Sequence, residues 1–333
     1  MYRITHMFGL LVAGMAFWSP AAMAESGADF YNGKTVNYIV ATGPGGGFDT
    51  YGRLVAQYMQ KYLPGSTFIV QNMPGAGHML GANYIYAAKP DGLTLGTFNT
   101  GLVYSQLAGV GGVRFDLGKM SWIGKAASDP RAIIVSKDAG IDGIETLMKG
   151  GKKVRFAAAG VGSGSYVETL MLEQAAGLPV EIISGYNGNE DQLAMMRGEI
   201  QGVVAFRSSY EQFVNDGKAR FIAQIGGAAK DLPQLADFAT SEQAKQVISL
   251  IASQGTIARL TVGPNGIPED RLTALRNAYQ KAVTDPEFVA KAKELGLPVD
   301  AMIGNDVLIA IKAALKQSPE TIALIKQSLS TGQ

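Results

Sequence analysis

Cysteine is absent from this chain of 333 residues. That removes disulfides, thiolate metal sites, a cysteine nucleophile and a lipidated N-terminal cysteine. Histidine is nearly absent, with only His6 and His78. A transition-metal centre would lack nitrogen ligands, so no metal is expected. Neither sign of charge is in excess: 29 Lys and Arg face 28 Asp and Glu. A nucleic-acid binder carries a basic surplus, so no nucleic-acid partner is expected. The even mixing of charge predicts a monomer. Apolar runs long enough to span a bilayer, about 20 residues, are missing as well.

One shorter apolar run is present. Met7–Phe17 follows Arg3 in a segment without acids, is broken by Ser19 and Pro20, and leads to Ala22-Met23-Ala24 before Glu25. This is the layout of a secretory signal peptide. Residues 1–24 are therefore expected to be cleaved after Ala24, leaving a periplasmic chain with His78 as its only histidine.

Glycine is abundant, at 42 residues, nearly twice the usual ~7%. It gathers where short β-rich runs meet helical patterns. Val36–Ala41, Thr67–Gln71, Leu93–Phe98, Ala132–Ser136, Val154–Ala158, Val180–Ser184, Val203–Phe206, Phe221–Ile225 and Thr256–Val262 read as strands. Helices are expected at about 165–176 and 189–197, and after Pro268. Leu54, Val55, Tyr58, Met59 and Tyr62 share one helical face, with Asp49 as the expected N-cap. The alternation predicts parallel βαβ units in an α/β fold of two domains.

Ligands of such sheets bind where strand ends meet helix N-termini. Three glycine-rich loops sit there: Thr42–Phe48, Asn72–Gly77 and Ala158–Ser165. Their backbone amides favour an anion. None fits a nucleotide fingerprint. No lysine follows Gly45–Gly47, and both G-x-G-x-x-G readings, from Gly43 and from Gly160, fail at the sixth position. No cofactor is expected. A hydrolase would need His78 beside a G-x-S-x-G elbow, and neither serine of Gly162-Ser163-Gly164-Ser165 has glycines at −2 and +2.

The order of Gly43-Pro44-Gly45-Gly46-Gly47 with Asp49 and Arg53, then Gln71-Asn72-Met73-Pro74-Gly75-Ala76-Gly77, then Pro90-Asp91-Gly92-Leu93-Thr94-Leu95-Gly96 resembles the Bug, or TctC-like, receptors of tripartite tricarboxylate transporters. The likeness continues through Trp122-Ile123-Gly124, Gly160-Val161-Gly162-Ser163, Gly185-Tyr186-Asn187-Gly188 and Arg197-Gly198-Glu199-Ile200. It implies a type II periplasmic binding fold of two α/β lobes joined by crossing hinge segments. The first lobe would comprise 25–128 and 255–333, the second 129–254. It also implies a small carboxylate between the lobes, either an aliphatic di- or tricarboxylate or an aromatic acid, and membrane permease subunits as partners. Two departures fall in the second lobe. Tyr166 stands where the better-known members carry a histidine, and Gly185-Tyr186-Asn187-Gly188 replaces Pro-Tyr-Lys-Gly.

From the first lobe, Gly46, Gly47 and Phe48 are expected to offer amides to a carboxylate, with Asn99 and Thr100 as polar contacts. His78 is expected at the surface. From the second lobe, Gly162 and Ser163 match the family's binding loop, and Tyr166 and Tyr186 are placed to line the cleft. Arg207 follows an apolar strand and is expected to meet a second anionic group, against the alternative of an ion pair with Glu211. Arg197, before Gly198, is expected as a structural helix cap or in an ion pair. The leading function is a transport receptor, not an enzyme. The alternatives are a solute sensor for a signalling partner and an exported α/β hydrolase or lyase.

Overall fold

A computed structural model describes residues 27–331; the expected signal peptide lies outside them. Eleven strands among these residues form two sheets. They are β1 Thr35–Val40, β2 Thr67–Asn72, β3 Thr94–Thr97, β4 Ser121–Lys125, β5 Arg131–Ser136, β6 Val154–Ala158, β7 Val180–Ser184, β8 Gly202–Phe206, β9 Ala219–Ile225, β10 Leu260–Gly263 and β11 Met302–Ile303. The first sheet has the order β11-β4-β10-β3-β1-β2, the second β7-β6-β8-β5-β9.

The βαβ units are parallel, as the alternation implies: β1 pairs with β2 and β3, and β6 with β7 and β8, all in parallel. The short edge strand β11 is antiparallel to β4, and each sheet also holds a longer reversed strand that the alternation does not signal. β5 runs antiparallel to β8 and β9, and β10 antiparallel to β3 and β4. These two strands directly follow the segments that cross between the sheets. A chain leaving one lobe enters the other from the hinge side, opposite to the strands fed by crossover helices.

Each sheet carries helices on both faces. The helix Gly47–Lys61 buries Leu54, Val55 and Met59 against the helix Glu269–Thr284, with Tyr58 and Tyr62 half-covered beside them. That is the apolar face its periodicity defines. Its N-cap is Gly46 rather than Asp49. Asp49 lies in the first turn, where its Oδ2 accepts the Gly45 amide at 3.0 Å and Arg53 Nε at 2.9 Å.

The C-terminal helix Pro319–Thr331, expected with the rest of 255–333 in the first lobe, touches both lobes. It packs against the helices Leu102–Ala108 and Gly164–Ala176. Ile325 and Leu329 join the second lobe's core, and Ser328 donates to Gln174 at 2.9 Å. Its apolar face had no signal of which lobe would cover it.

Candidate functional site

The lobes meet through loops at the strand ends. Ser105 Oγ of the first lobe donates to the Gly162 carbonyl of the second at 2.9 Å. A Cβ placed on Gly101 would overlap the Cα of Gly164, and one on Gly46 would come within 2.7 Å of the Gly188 carbonyl oxygen. Glycine at these positions lets the two lobes close backbone to backbone.

Between them lies a cavity of about 100 Å³, well below the roughly 300–1,000 Å³ of pockets for drug-sized ligands. Gly46, Gly47 and Phe48 line it from the first lobe. The amides of Gly47 and Phe48 find no acceptor among the described residues. They open a helix of 15 residues whose dipole favours negative charge there. The Phe48 ring meets Phe206 edge-on, with centroids 5.6 Å apart. Asn99 also lines the cavity, while its Oδ1 accepts the Gly101 amide at 2.7 Å. Tyr186 lines it from the second lobe.

Other expected residues lie elsewhere. Thr100 is buried beside the cavity rather than in its wall, and its hydroxyl has no partner. Ser163 is fully buried and caps the helix Gly164–Ala176, accepting the Tyr166 amide at 3.3 Å. Two residues on, Ser165 reaches the wall instead. Gly162 adopts φ +86° and shapes the turn. Tyr166 packs into the second lobe's core.

Arg207 requires a correction. Its Nε donates to Glu211 Oε1 at 2.7 Å, and its side chain lines a separate groove beside Pro130 and Leu297. A tight turn follows Phe206, the last residue of β8, so that Phe206, Ser209 and Tyr210 line the cavity while Arg207 and Ser208 line the separate groove. Arg197 pairs with Glu199 at 2.5 Å. His78 also departs from expectation. It is buried, adopts φ +80° and lines the cavity, and its Nδ1 has no hydrogen-bond partner. Burial pulls its pKa down to about 4, so the imidazole is neutral at pH 7.

The cation in the cavity wall is Arg131, at the start of β5. Its Nε and Nη2 donate to Glu168 at 2.6 and 2.8 Å, and both side chains are buried. Burial opposes the guanidinium charge, but Glu168 more than offsets it and raises the pKa above its ordinary value. The guanidinium stacks 3.4 Å from the Phe206 ring centroid. Its Nη1 is left without a partner. A sequence signal for this residue existed: an arginine directly before the apolar run Ala132–Val135 must be neutralised if that run is interior. Asp191, Gln192 and Tyr210 complete the second lobe's wall. Asp191 carries no such signal, because an acid in a helix's first turn is ordinary.

Among the described residues there is no cluster of His, Asp and Glu able to hold a metal ion. No helix among them is long and apolar enough to cross a membrane.

A family model described as tripartite tricarboxylate transporter family receptor matches residues 52–327. A UPF0065 protein in the tcbD-tcbE intergenic region of Pseudomonas sp. strain P51 is 24% identical over 286 residues, covering 81% of this chain and 80% of that protein. Protein BugT of Bordetella pertussis is 23% identical over 282 residues, covering 79% and 82%. Among solved structures, periplasmic binding protein BugD superposes with a TM-score of 0.72 at 22% identity, over 89% of this chain and 97% of that one. MatC from Rhodopseudomonas palustris with bound malate gives 0.69 at 20% identity, over 89% and 99%. These likenesses show the two-lobed fold of periplasmic binding proteins.

Proposed function

Because the chain belongs to the tripartite tricarboxylate transporter receptor family, we propose that it is a periplasmic receptor that closes its lobes on a small carboxylate and delivers it to a membrane permease. The observation that carries this reading is the pairing of two kinds of anion donor in one cavity between the lobes. The free amides of Gly47 and Phe48 come from the first lobe, and from the second comes Arg131, which lines the cavity and whose buried Nη1 is unpartnered. Charge-assisted bonds from donors already held in place cost little reorganisation on binding. Arg131 takes the part expected of Arg207. The malate in MatC and the adipate bound to a second Rhodopseudomonas palustris protein are carboxylates on the same fold, which supports the ligand class. The signal-peptide layout ending at Ala24 supports a periplasmic location, and the evenly mixed charge supports a monomer.

Calorimetry on the purified protein, with short mono-, di- and tricarboxylates and their neutral amides, tests the reading. Saturable binding of at least one acid, weaker binding of its amide and no turnover are expected. Absence of binding by every acid, or conversion of the bound acid to product, would overturn it.

A further inference from the structure

The fixed charges of the cavity do not balance around a plain carboxylate. Arg131 is neutralised from behind by Glu168 at 2.6 Å. Asp191 adds a second carboxylate to the wall. Its contacts are with dipoles: one oxygen accepts from the Tyr210 hydroxyl, the other from the Gln192 amide at 2.7 Å. Among the described residues Asp191 makes no ion pair. Tyr210 itself is 3% exposed and fixed in the second lobe's core. It therefore holds Asp191 in one orientation.

Closing the lobes on a simple dianion would place it beside this unpaired carboxylate in a medium that screens poorly. Like charges at such range are disfavoured in proportion to the lost water. A group that brings its own positive charge removes the conflict. An ammonium also has three donors for the lone pairs that Tyr210 and Gln192 leave free on Asp191. A hydroxyl could use one of those lone pairs but would leave the charge uncancelled.

Resting on the carboxylate-receptor reading above, we infer that the solute is an ammonium-bearing carboxylate, with Asp191 held by Tyr210 as the acceptor of its ammonium. The carboxylate end lies at the Gly47 and Phe48 amides and Arg131 Nη1. Asp191 then determines specificity, since it rejects unsubstituted acids and recruits their amino counterparts. Burial keeps its carboxyl pKa above the ordinary value, with the Tyr210 hydroxyl opposing that rise. An arriving ammonium would favour the ionised form.

Matched ligands on common skeletons test the assignment by calorimetry: succinate, malate and aspartate; glutarate and glutamate; butyrate and γ-aminobutyrate. In at least one series the amino member is expected to bind at least tenfold more tightly than its unsubstituted and hydroxy counterparts. Asp191→Asn should lower the affinity of that amino member at least tenfold and tighten the unsubstituted one. Tyr210→Phe keeps the charge but frees its orientation, and should weaken the amino member by a smaller factor. Circular dichroism and melting confirm that each variant is folded.

If unsubstituted or hydroxy acids bind as tightly as amino acids in every series, the inference fails and the receptor reading stands. The same follows if Asp191→Asn retains the preference. If no acid of either kind binds the folded wild type, both fail.

Discussion

Asp129 and Arg259, 130 residues apart in sequence, meet at 2.7 Å with neither side chain exposed. They lie on the two segments that cross between the lobes, where the Asp129 amide also donates to the Gly255 carbonyl at 2.8 Å. The same guanidinium reaches Ser209 Oγ at 2.9 Å and lies 4.7 Å from the Phe48 ring centroid. Ser209 and Phe48 both line the cavity. The hinge and the cavity wall thus share one cluster around the Arg259 guanidinium. Asp129→Asn would leave Arg259 buried without its counter-ion, and loss of one partner of such a pair costs about 3–5 kcal/mol. Urea unfolding should register a loss of that size.

Glu168 and Arg131 form the second buried pair, with a different expected signature. Glu168→Gln should destabilise the fold by a similar margin of about 3–5 kcal/mol. Replacing both residues by leucine should recover much of the stability, because no uncompensated charge remains. It should not recover solute binding, because the Nη1 donor is gone. Unfolding and calorimetry on the single and double variants separate these effects.

Gly101 adopts right-handed helical angles, φ −57° and ψ −13°, that alanine tolerates. Its constraint is the facing Gly164 backbone. Gly101→Ala should therefore fold normally and fail to close. Small-angle scattering should show the ligand-dependent compaction of the wild type and little or none in the variant. The same variant should lose the stabilisation that saturating solute gives the wild type, about 2.7 kcal/mol at 100-fold above Kd.

His78 links stability to pH. Its pKa falls from 6.5 to about 4 on burial. Between those values the unfolded chain binds a proton that the fold excludes. The contribution is complete above pH 6.5 and is lost as pH falls toward 4, to a total of about 3 kcal/mol. His78→Asn should flatten the dependence of unfolding free energy on pH across that window.

Arg207→Ala should do little. The Arg207–Glu211 pair is partly solvated, with side chains 25% and 26% exposed, and such pairs contribute about 0–1 kcal/mol. Solute affinity should stay within twofold of wild type by calorimetry. A tenfold loss would return Arg207 to the cleft.

The sequence alone determined the α/β class, the strand–loop–helix units and the glycine loop at Gly46–Phe48. These depend on local chemistry: period-two and period-3.6 apolar patterns, and amides left unpaired at a helix start. It also carried the family, through three motifs in order. Tertiary structure decided which arginine lines the cavity. Arg131 opens one apolar strand and Arg207 follows another, and that local pattern does not say which of the two lines the cavity. β5 begins at the hinge, beside the buried Glu168 of another element, whereas the turn after β8 sends Arg207 to the far side. The reversed strands β5 and β10, the contacts of the last helix with both lobes, and the places of His78 and Asp191 in the cavity wall were decided in the same way. Each depends on partners distant in sequence, and an orientation fixed by distant packing leaves no periodic trace in the chain that bears it.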